Sequence, residues 1–213
     1  MKYKLVIFDW DGTLMDSTPK IVSCVQNAAT RANLLPPATE AIQNIIGLSL
    51  EIALHRLFKN DDPAFIEQII SLYRDEYLYS NTTPSPLFSG SRLLLNTLKA
   101  EQRLLAVATG KMRRGLDRIW QDTDTAHYFH TSCCADEAES KPHPDMLLKI
   151  LSQLNIEVNE AVMIGDTEHD MGMAQSINMP RIGVTYGAQP KEKLLKHQPL
   201  VIVDSVNNLH QWL

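Results

Sequence analysis

Short apolar runs alternate with helical patterns along most of this chain, and this alternation restricts the fold more than any other feature. Most of the runs are too short for helices and end in Gly, Asp or Thr. Helical patterns over 90–100, 144–154 and 168–178 separate the later runs. Strands that are apolar on both faces are typical of parallel sheets covered by helices, so the pattern predicts an α/β fold. The runs are Lys4–Phe8, Leu104–Ala108, Ala161–Ile164, Ile182–Val184 and Leu200–Val203, with a weaker one around Phe129–Cys134.

Residues 16–85 interrupt this rhythm, because they carry helix signals and no convincing strand. Ser17 precedes Thr18-Pro19 as a predicted N-cap, and Asp62-Pro63 repeats the device. Two shorter helical stretches between them join at Gly47-Leu48-Ser49, and a polar, proline-rich linker over 81–86 closes the segment. We therefore expect an inserted, all-helical cap domain over 16–85, called the cap segment below, and a core domain made of 1–15 and 86–213.

Charge and apolar content exclude several classes of protein. The chain has 20 basic and 25 acidic side chains and no basic stripe, so we expect no nucleic-acid partner. It lacks both the run of about 18 apolar residues that a membrane span needs and a secretory signal with about 7–15 apolar residues near its start. Three cysteines, two of them adjacent, favour reduced structural thiols. These patterns predict a cytoplasmic protein without a membrane partner, and a monomer by default.

Polar side chains follow three of the predicted strands. Asp9 and Asp11 come after the first, Thr109 after the second, and Asp166 and Asp170 after the third. Because ligands of open α/β sheets bind beyond the carboxyl ends of the strands, we expect these residues to meet there. Four carboxylates in one pocket would repel each other unless a cation shared the site. Oxygen ligands without a His or Cys cluster indicate Mg²⁺.

This set of residues suits phosphoryl transfer. An aspartate such as Asp9 can attack phosphorus and form an aspartyl-phosphate. Asp11 lies two residues further on and points to the same side of an extended strand end, where it can protonate a leaving oxygen and then activate water. Thr109 and the N–H of Gly110 offer hydrogen bonds, and Lys141 between its prolines offers positive charge, which the transferred phosphoryl group needs.

Four ordered motifs, spanning nearly the whole chain, resemble those of the haloacid dehalogenase superfamily. The inserted helices resemble the cap found after the first motif in one large branch, and the stretch 165–187 is similar to phosphoglycolate phosphatase-like hydrolases. The resemblance implies a Rossmann-like core, an enzyme that binds Mg²⁺, and a small phosphorylated metabolite as its partner. The motifs are Asp9-Trp10-Asp11-Gly12-Thr13-Leu14, Thr109-Gly110, Lys141-Pro142 and Gly165-Asp166 through Asp170.

The same resemblance implies a role for each site residue. Asp9 would be the nucleophile and a metal ligand, and Asp11 the acid and base, with its backbone carbonyl also binding Mg²⁺. Asp166 would be the other carboxylate ligand, and Asp170 would support the metal shell, either by contacting the ligands or through water. The phosphoryl group would be held by Thr109, Gly110 and Lys141.

Several functions remain open on these residues. The favoured one is a Mg²⁺-dependent phosphatase, because relatives that cleave C–Cl or C–P bonds lack a carboxylate where Asp11 stands. The alternatives are a pyrophosphatase or nucleotidase, a phosphomutase of the β-phosphoglucomutase type, and a non-catalytic binding protein on the same scaffold. Many relatives carry Asn where this chain has Gly110, which weakens substrate assignment by analogy.

Basic side chains outside the motifs are further candidates for substrate contact. Lys111, Arg113 and Arg114 open a predicted helix, either as a solvated face or as an attractor of anionic substrates. In the cap segment, the candidates for a substrate carboxylate or second phosphate are Lys20, Arg31 and Arg56.

Overall fold

A computed structural model describes residues 2–213, and within them one parallel sheet of six strands forms the centre of the molecule. Its spatial order is β3-β2-β1-β4-β5-β6, and every neighbouring pair is parallel. The α/β prediction is confirmed, including the weaker run that becomes β3. The strands are β1 (Leu5–Phe8), β2 (Leu104–Ala108), β3 (Thr131–Cys133), β4 (Ala161–Gly165), β5 (Arg181–Val184) and β6 (Val201–Val203).

The strand order explains where a site can form. β1 lies in the middle, with Phe8 in register with Val107 of β2 on one side and Ile164 of β4 on the other. Along the chain, β2 and β3 are added on one side of β1, and β4, β5 and β6 follow on the other side. Such a reversal opens a crevice at the carboxyl ends of the strands. Asp9 directly follows β1 and therefore lies in this crevice.

Helices cover both faces of the sheet. Alternate residues of β1 point to opposite faces, so that Val6 and Phe8 join one apolar core with Leu95 of the helix before β2, whereas Ile7 joins the other with Leu147. The core helices are α5 (Ser91–Ala100), α6 (Arg113–Thr123), α7 (Asp145–Leu154), α8 (Glu168–Ser176) and α9 (Lys191–Leu195), which follow α1 to α4 of the cap segment. Short 3₁₀ turns lie at 126–128, 158–160, 206–208 and 210–212.

All elements of regular secondary structure in the cap segment are helices, as predicted. Asp62 caps α4 by accepting a hydrogen bond from the Ala64 N–H. The first short helix ends earlier than predicted, because the chain turns over 44–47 and Gly47 has a positive φ of 95° that a right-handed helix cannot contain. Its elements are α1 (Thr18–Arg31), α2 (Thr39–Gln43), α3 (Leu50–Phe58), α4 (Pro63–Asp75) and a π-helical turn over Glu76–Ser80.

The two chain crossings between cap segment and core lie side by side. The Asp16 N–H donates to the Pro86 carbonyl at 2.8 Å, and the Phe88 N–H donates to the Leu14 carbonyl at 3.0 Å. These bonds lie at the predicted boundaries after residue 15 and before residue 86. The division into two domains stays a prediction that this pairing supports.

Two further sequence expectations concern the cysteines and the membrane. Cys24, Cys133 and Cys134 are buried free thiols. Among the helices of residues 2–213, none combines the length and the apolar character that crossing a membrane requires.

Candidate active site

Asp9 is the centre of the site at the carboxyl end of β1. Its side chain is buried, and its Oδ1 accepts a hydrogen bond from Lys141 Nζ at 2.7 Å. Its Oδ2 has no hydrogen-bond partner anywhere in 2–213. Lys141 is buried as well and also donates to Oδ1 of Asp170 at 2.6 Å. The lysine therefore links two carboxylates and leaves one oxygen of Asp9 available.

Asp166 and Asp170 join Asp9 in one cluster, in which an oxygen of each lies within 4.8 Å of the others. Oδ1 of Asp166 accepts from the Thr13 hydroxyl at 2.9 Å, and its Oδ2 accepts from the Ala188 N–H at 2.7 Å. Thr167 caps α8 and donates its hydroxyl to Oδ2 of Asp170 at 2.7 Å. Hydrogen bonds thus fix the orientation of both carboxylates.

Burial dominates the electrostatics of this cluster. Burial, reinforced by Asp170, raises the pKa of Asp166 to about 7. Burial also raises the pKa of Asp9 well above its ordinary value, against the opposing charge of Lys141. Burial alone would lower the pKa of Lys141, but Asp170 and Asp9 outweigh it and raise that pKa. Three buried carboxylates therefore share one ammonium group, which leaves an excess of negative charge.

This arrangement fits a divalent cation. The donors are carboxylate oxygens, which Mg²⁺ prefers, and the cluster contains no sulfur or imidazole ligand. The unpartnered Oδ2 of Asp9 offers a free lone pair, and a cation would compensate the charge that one lysine leaves unbalanced.

Asp11 does not join the three clustered carboxylates. Its Oδ1 accepts from the Ser17 hydroxyl at 2.5 Å, and its Oδ2 lies 3.0 Å from Lys111 Nζ. Ser17 is the N-cap residue of α1, as predicted, but its hydroxyl bonds Asp11 and makes no capping hydrogen bond. Ser17 thereby connects the start of the cap segment to the candidate acid and base.

Backbone N–H groups provide a second set of donors. Within residues 2–213, the N–H groups of Trp10, Asp11 and Gly110 donate no hydrogen bond. All three follow the carboxyl ends of β1 and β2, where ligands of open α/β sheets bind, and free backbone N–H groups there can bind an anion. The Thr109 hydroxyl lies beside them and accepts from the Lys111 N–H at 3.2 Å. The sequence alone did not indicate the backbone donors of Trp10 and Asp11, because the roles expected there were those of side chains and of the Asp11 carbonyl.

A cavity of about 630 Å³ lies between the cap segment and the core. Asp9, Asp11 and Gly110 face it directly. The other site residues are buried and are not among its lining residues: Thr109, Lys141, Asp166 and Asp170. The candidate nucleophile and the candidate acid and base therefore face one space that is enclosed by both parts of the chain.

The loop 47–49 of the cap segment packs directly on the second motif. A Cβ at Gly110 would lie 2.5 Å from the Leu48 carbonyl oxygen and 2.7 Å from that of Gly47. The Ser49 N–H donates to the Ser140 hydroxyl at 3.0 Å, next to Lys141. This chain therefore needs glycine at 110, because the cap loop occupies the space of a side chain.

Asn44 holds the same side of the cap segment against the core. Its carbonyl oxygen lies 3.0 Å from Nε2 of His169 and 3.4 Å from Nε2 of Gln189. Its side-chain oxygen accepts from Lys193 Nζ at 2.7 Å, and Lys193 also bonds Glu168 at 3.0 Å. These contacts keep the cap segment closed over the cavity.

The basic candidates from the sequence divide into two groups. Lys20, Lys111 and Arg114 line the cavity, and the two lysines each lie 4.8 Å from the centre of the Tyr77 ring. The others lie outside it: Arg31 pairs with Asp75 and Glu76, Arg113 pairs with Glu137, and Arg56 is an exposed residue of α3.

Comparison with known proteins agrees with this geometry. A family model described as haloacid dehalogenase-like hydrolase matches residues 6–184. The "Probable phosphatase IndB" of Dickeya dadantii is 34% identical over 96% of this chain and 91% of that protein. The phosphoglycolate phosphatase of Escherichia coli K12 is 26% identical over 96% of this chain and 90% of its own length.

A solved structure shares the whole fold. The crystal structure of a protein described as a "predicted phosphatase" from Clostridium acetobutylicum superposes with a TM-score of 0.88 at 30% identity, covering 100% of this chain and 98% of the other. These findings confirm the predicted family and the enzyme class, a hydrolase of the phosphatase type. The family model, which matches most of the chain, and the 34% identical relative show that this chain belongs to the haloacid dehalogenase-like hydrolases.

Proposed function

We propose that this enzyme hydrolyses a small phosphorylated metabolite through an aspartyl-phosphate intermediate on Asp9, with Mg²⁺ as cofactor. One observation carries the proposal: buried Asp9 faces the cavity with an unpartnered Oδ2, while Lys141 holds its Oδ1. Asp9 and Asp166 would hold the ion, with the Asp11 carbonyl and, directly or through water, Asp170. When bound, Mg²⁺ supplies positive charge that offsets the phosphoryl and carboxylate oxygens.

In the first step, a carboxylate oxygen of Asp9 attacks phosphorus in line with the ester oxygen. The O–P bond to Asp9 forms as the ester P–O bond breaks, and protonated Asp11 donates its proton to the leaving oxygen. The free N–H groups of Trp10, Asp11 and Gly110 would bind the phosphoryl oxygens, and the Thr109 hydroxyl would support them. Lys141, which bonds Oδ1 of Asp9, adds positive charge next to the transferred phosphoryl group.

In the second step, water replaces the leaving group. Asp11, now a carboxylate, removes a proton from that water as its oxygen attacks phosphorus, and the Asp9–phosphorus bond breaks. Inorganic phosphate leaves and Asp11 is protonated for the next cycle. The cap loop would help to exclude bulk water from the first step, and its close packing on Gly110 supports this role.

The reaction class is tested by phosphate release from a panel of phosphoesters and pyrophosphate, with Mg²⁺ and with a chelator. We expect Mg²⁺-dependent release from wild type and none from Asp9→Asn. The matched control is Asp61→Asn, which makes the same change at a fully exposed side chain of the cap segment and should leave release unchanged. Undiminished release by Asp9→Asn would refute the nucleophile assignment.

The best substrate of the panel then selects between a phosphomonoesterase, related to the phosphoglycolate phosphatases, and a pyrophosphatase or nucleotidase. Transfer of the phosphoryl group to a sugar instead of water would identify a phosphomutase. A monomeric state and a cytoplasmic location stay predictions of the sequence.

A further inference from the structure

The cavity continues well beyond the reacting groups, along one face of α6. Six residues of this helix line it at helical spacing: Arg114, Gly115, Arg118, Ile119, Asp122 and Thr123. The eleven residues of α6 span about 16 Å at 1.5 Å per residue. A Cβ placed on Gly115 would meet no atom within 4 Å, so the floor of this cleft is open space.

The cleft is larger than a phosphoryl group and a two-carbon acid require. A volume of about 630 Å³ lies within the range of about 300–1,000 Å³ that is typical of sites enclosing whole small-molecule ligands. Much of its lining is apolar, including Tyr73 and Met112 at the junction of α4 with the first turn of α6. The part of the substrate that leaves therefore has room for a chain or ring with several carbons.

Two arginines without ion-pair partners lie next to these apolar residues. Arg74 of α4 and Arg114 of α6 both line it, and neither forms an ion pair with a carboxylate of residues 2–213. The only hydrogen bond of the Arg74 guanidinium in that range is to the Met112 sulfur at 3.3 Å. Burial and the nearby charge of Arg114 lower the pKa of Arg74. This local excess contrasts with the net charge of −5 of the whole chain.

We propose that the leaving group of the substrate lies along α6 and carries a second anionic group, a carboxylate or a phosphate, which binds between Arg74 and Arg114. The inference rests on the proposed function, because it takes the scissile phosphate to be at Asp9. Arg74 belongs to the cap segment and Arg114 to the core. An anion held by both would therefore favour the closed arrangement and select substrates by length.

A series of synthetic substrates tests the length and the charge together. It comprises alkyl phosphates of two, four and six carbons, the ω-carboxyalkyl phosphates of the same lengths, and the corresponding diol bisphosphates. In wild type we expect the anionic end to raise kcat/KM for the longer members and not for the two-carbon ones. Comparison of the carboxylates with the bisphosphates shows which anion the site prefers.

Substitutions locate the anion site. Arg74→Gln and Arg114→Gln should each reduce the preference for an anionic end by about tenfold or more, the usual effect of losing a charge-assisted hydrogen bond. The matched control, Arg56→Gln, removes an exposed arginine of the cap segment outside the cleft and should retain the preference. Gly115→Leu should lower kcat/KM for six-carbon substrates relative to two-carbon ones, because its side chain fills the open floor.

Binding separates this inference from the proposed chemistry. Both proteins in this comparison carry Asp9→Asn, which prevents turnover, and one of them also carries Arg74→Gln. Calorimetry with the six-carbon carboxyalkyl phosphate and Mg²⁺ should show that the double variant binds at least tenfold more weakly than the Asp9→Asn protein. If the compounds do release phosphate, the inference would be overturned by a preference that is absent or equal at all lengths. A preference that is unchanged in Arg74→Gln and Arg114→Gln would overturn it as well. Absence of phosphate release from every compound, with this binding difference intact, would overturn the proposed reaction alone.

Discussion

Gly110→Ala tests the contact between the cap loop and the second motif with a single added methyl group. Its Cβ would lie 2.5 Å from the Leu48 carbonyl oxygen, whereas ordinary contacts begin at 3.4 Å. The loop must therefore retreat by about 0.9 Å, because the opposing atoms are backbone and cannot rotate away. A shift of this size breaks the 3.0 Å bond from the Ser49 N–H to Ser140.

The expected result is loss of activity without loss of the fold. A displacement of about 1 Å in a closed site can lower kcat/KM by about 100-fold. The free energy of unfolding should change by less than about 1 kcal/mol, since the clash is relieved when the loop opens and alanine restricts the unfolded chain. Steady-state kinetics and denaturant unfolding of the same protein preparation measure both quantities.

Hydrogen exchange at the loop 47–49 shows whether the loss has the stated cause. Exchange of the Ser49 amide should become faster in Gly110→Ala. Gly115→Ala is the matched control, because the same methyl group meets no atom within 4 Å there and should leave exchange at the loop unchanged. Wild-type exchange together with wild-type kcat/KM in Gly110→Ala would refute the reasoning.

Three further predictions concern the groups around the site. Ser17→Ala removes the 2.5 Å hydrogen bond to Asp11. It should lower kcat by about tenfold with little change in KM, as measured across the pH profile. An unchanged kcat would contradict a role of Ser17 in positioning Asp11. The hydrogen bond from Lys193 Nζ to the Asn44 side chain is partly exposed. In a double-mutant cycle of unfolding free energies, Lys193→Met and Asn44→Ala should therefore show a coupling of only about 0.5–1 kcal/mol. Additive effects of the two substitutions would show that this bond contributes nothing. Burial raises the pKa of Asp166 to about 7. Without a cation, the native state therefore keeps a proton on Asp166 between about pH 4 and pH 7, a range in which the unfolded state has released it. The free energy of unfolding, measured in chelator, should therefore fall as the pH rises through this range. Mg²⁺ should remove this fall, and its binding near pH 6.5 should release protons. Calorimetry in buffers of different ionisation enthalpy measures the proton release, and its absence would contradict the raised pKa of Asp166.

The strands and the residues at their ends were predictable because local patterns determine them. Apolar runs bounded by polar turns are visible in the sequence, and the carboxyl ends of parallel strands meet by topology alone. The approach of Asp9, Asp166 and Asp170 therefore followed from the order of the motifs, and the structure brings them together.

Contacts between distant segments were not predictable in the same way. The fit of Gly110 against Leu48 depends on how the cap segment closes, which no local pattern records. Ser17 has the sequence signature of a helix cap, yet a buried carboxylate offers its hydroxyl a stronger, charge-assisted hydrogen bond. Lys111 resembled a solvated residue because its partner, Asp11, is separated from it by the whole cap segment.

A phosphoryl group on Asp9 is the most direct test of the proposed chemistry. In Asp11→Asn, the first step should proceed with a good leaving group such as 4-nitrophenolate, whereas the second step lacks its base. Acid quenching followed by peptide mass spectrometry should then show one phosphoryl group on the peptide that contains Asp9. The double variant with Asp9→Asn should show none. Turnover by wild type without a phosphorylated Asp9 peptide in Asp11→Asn, or a phosphoryl group on another residue, would contradict the account.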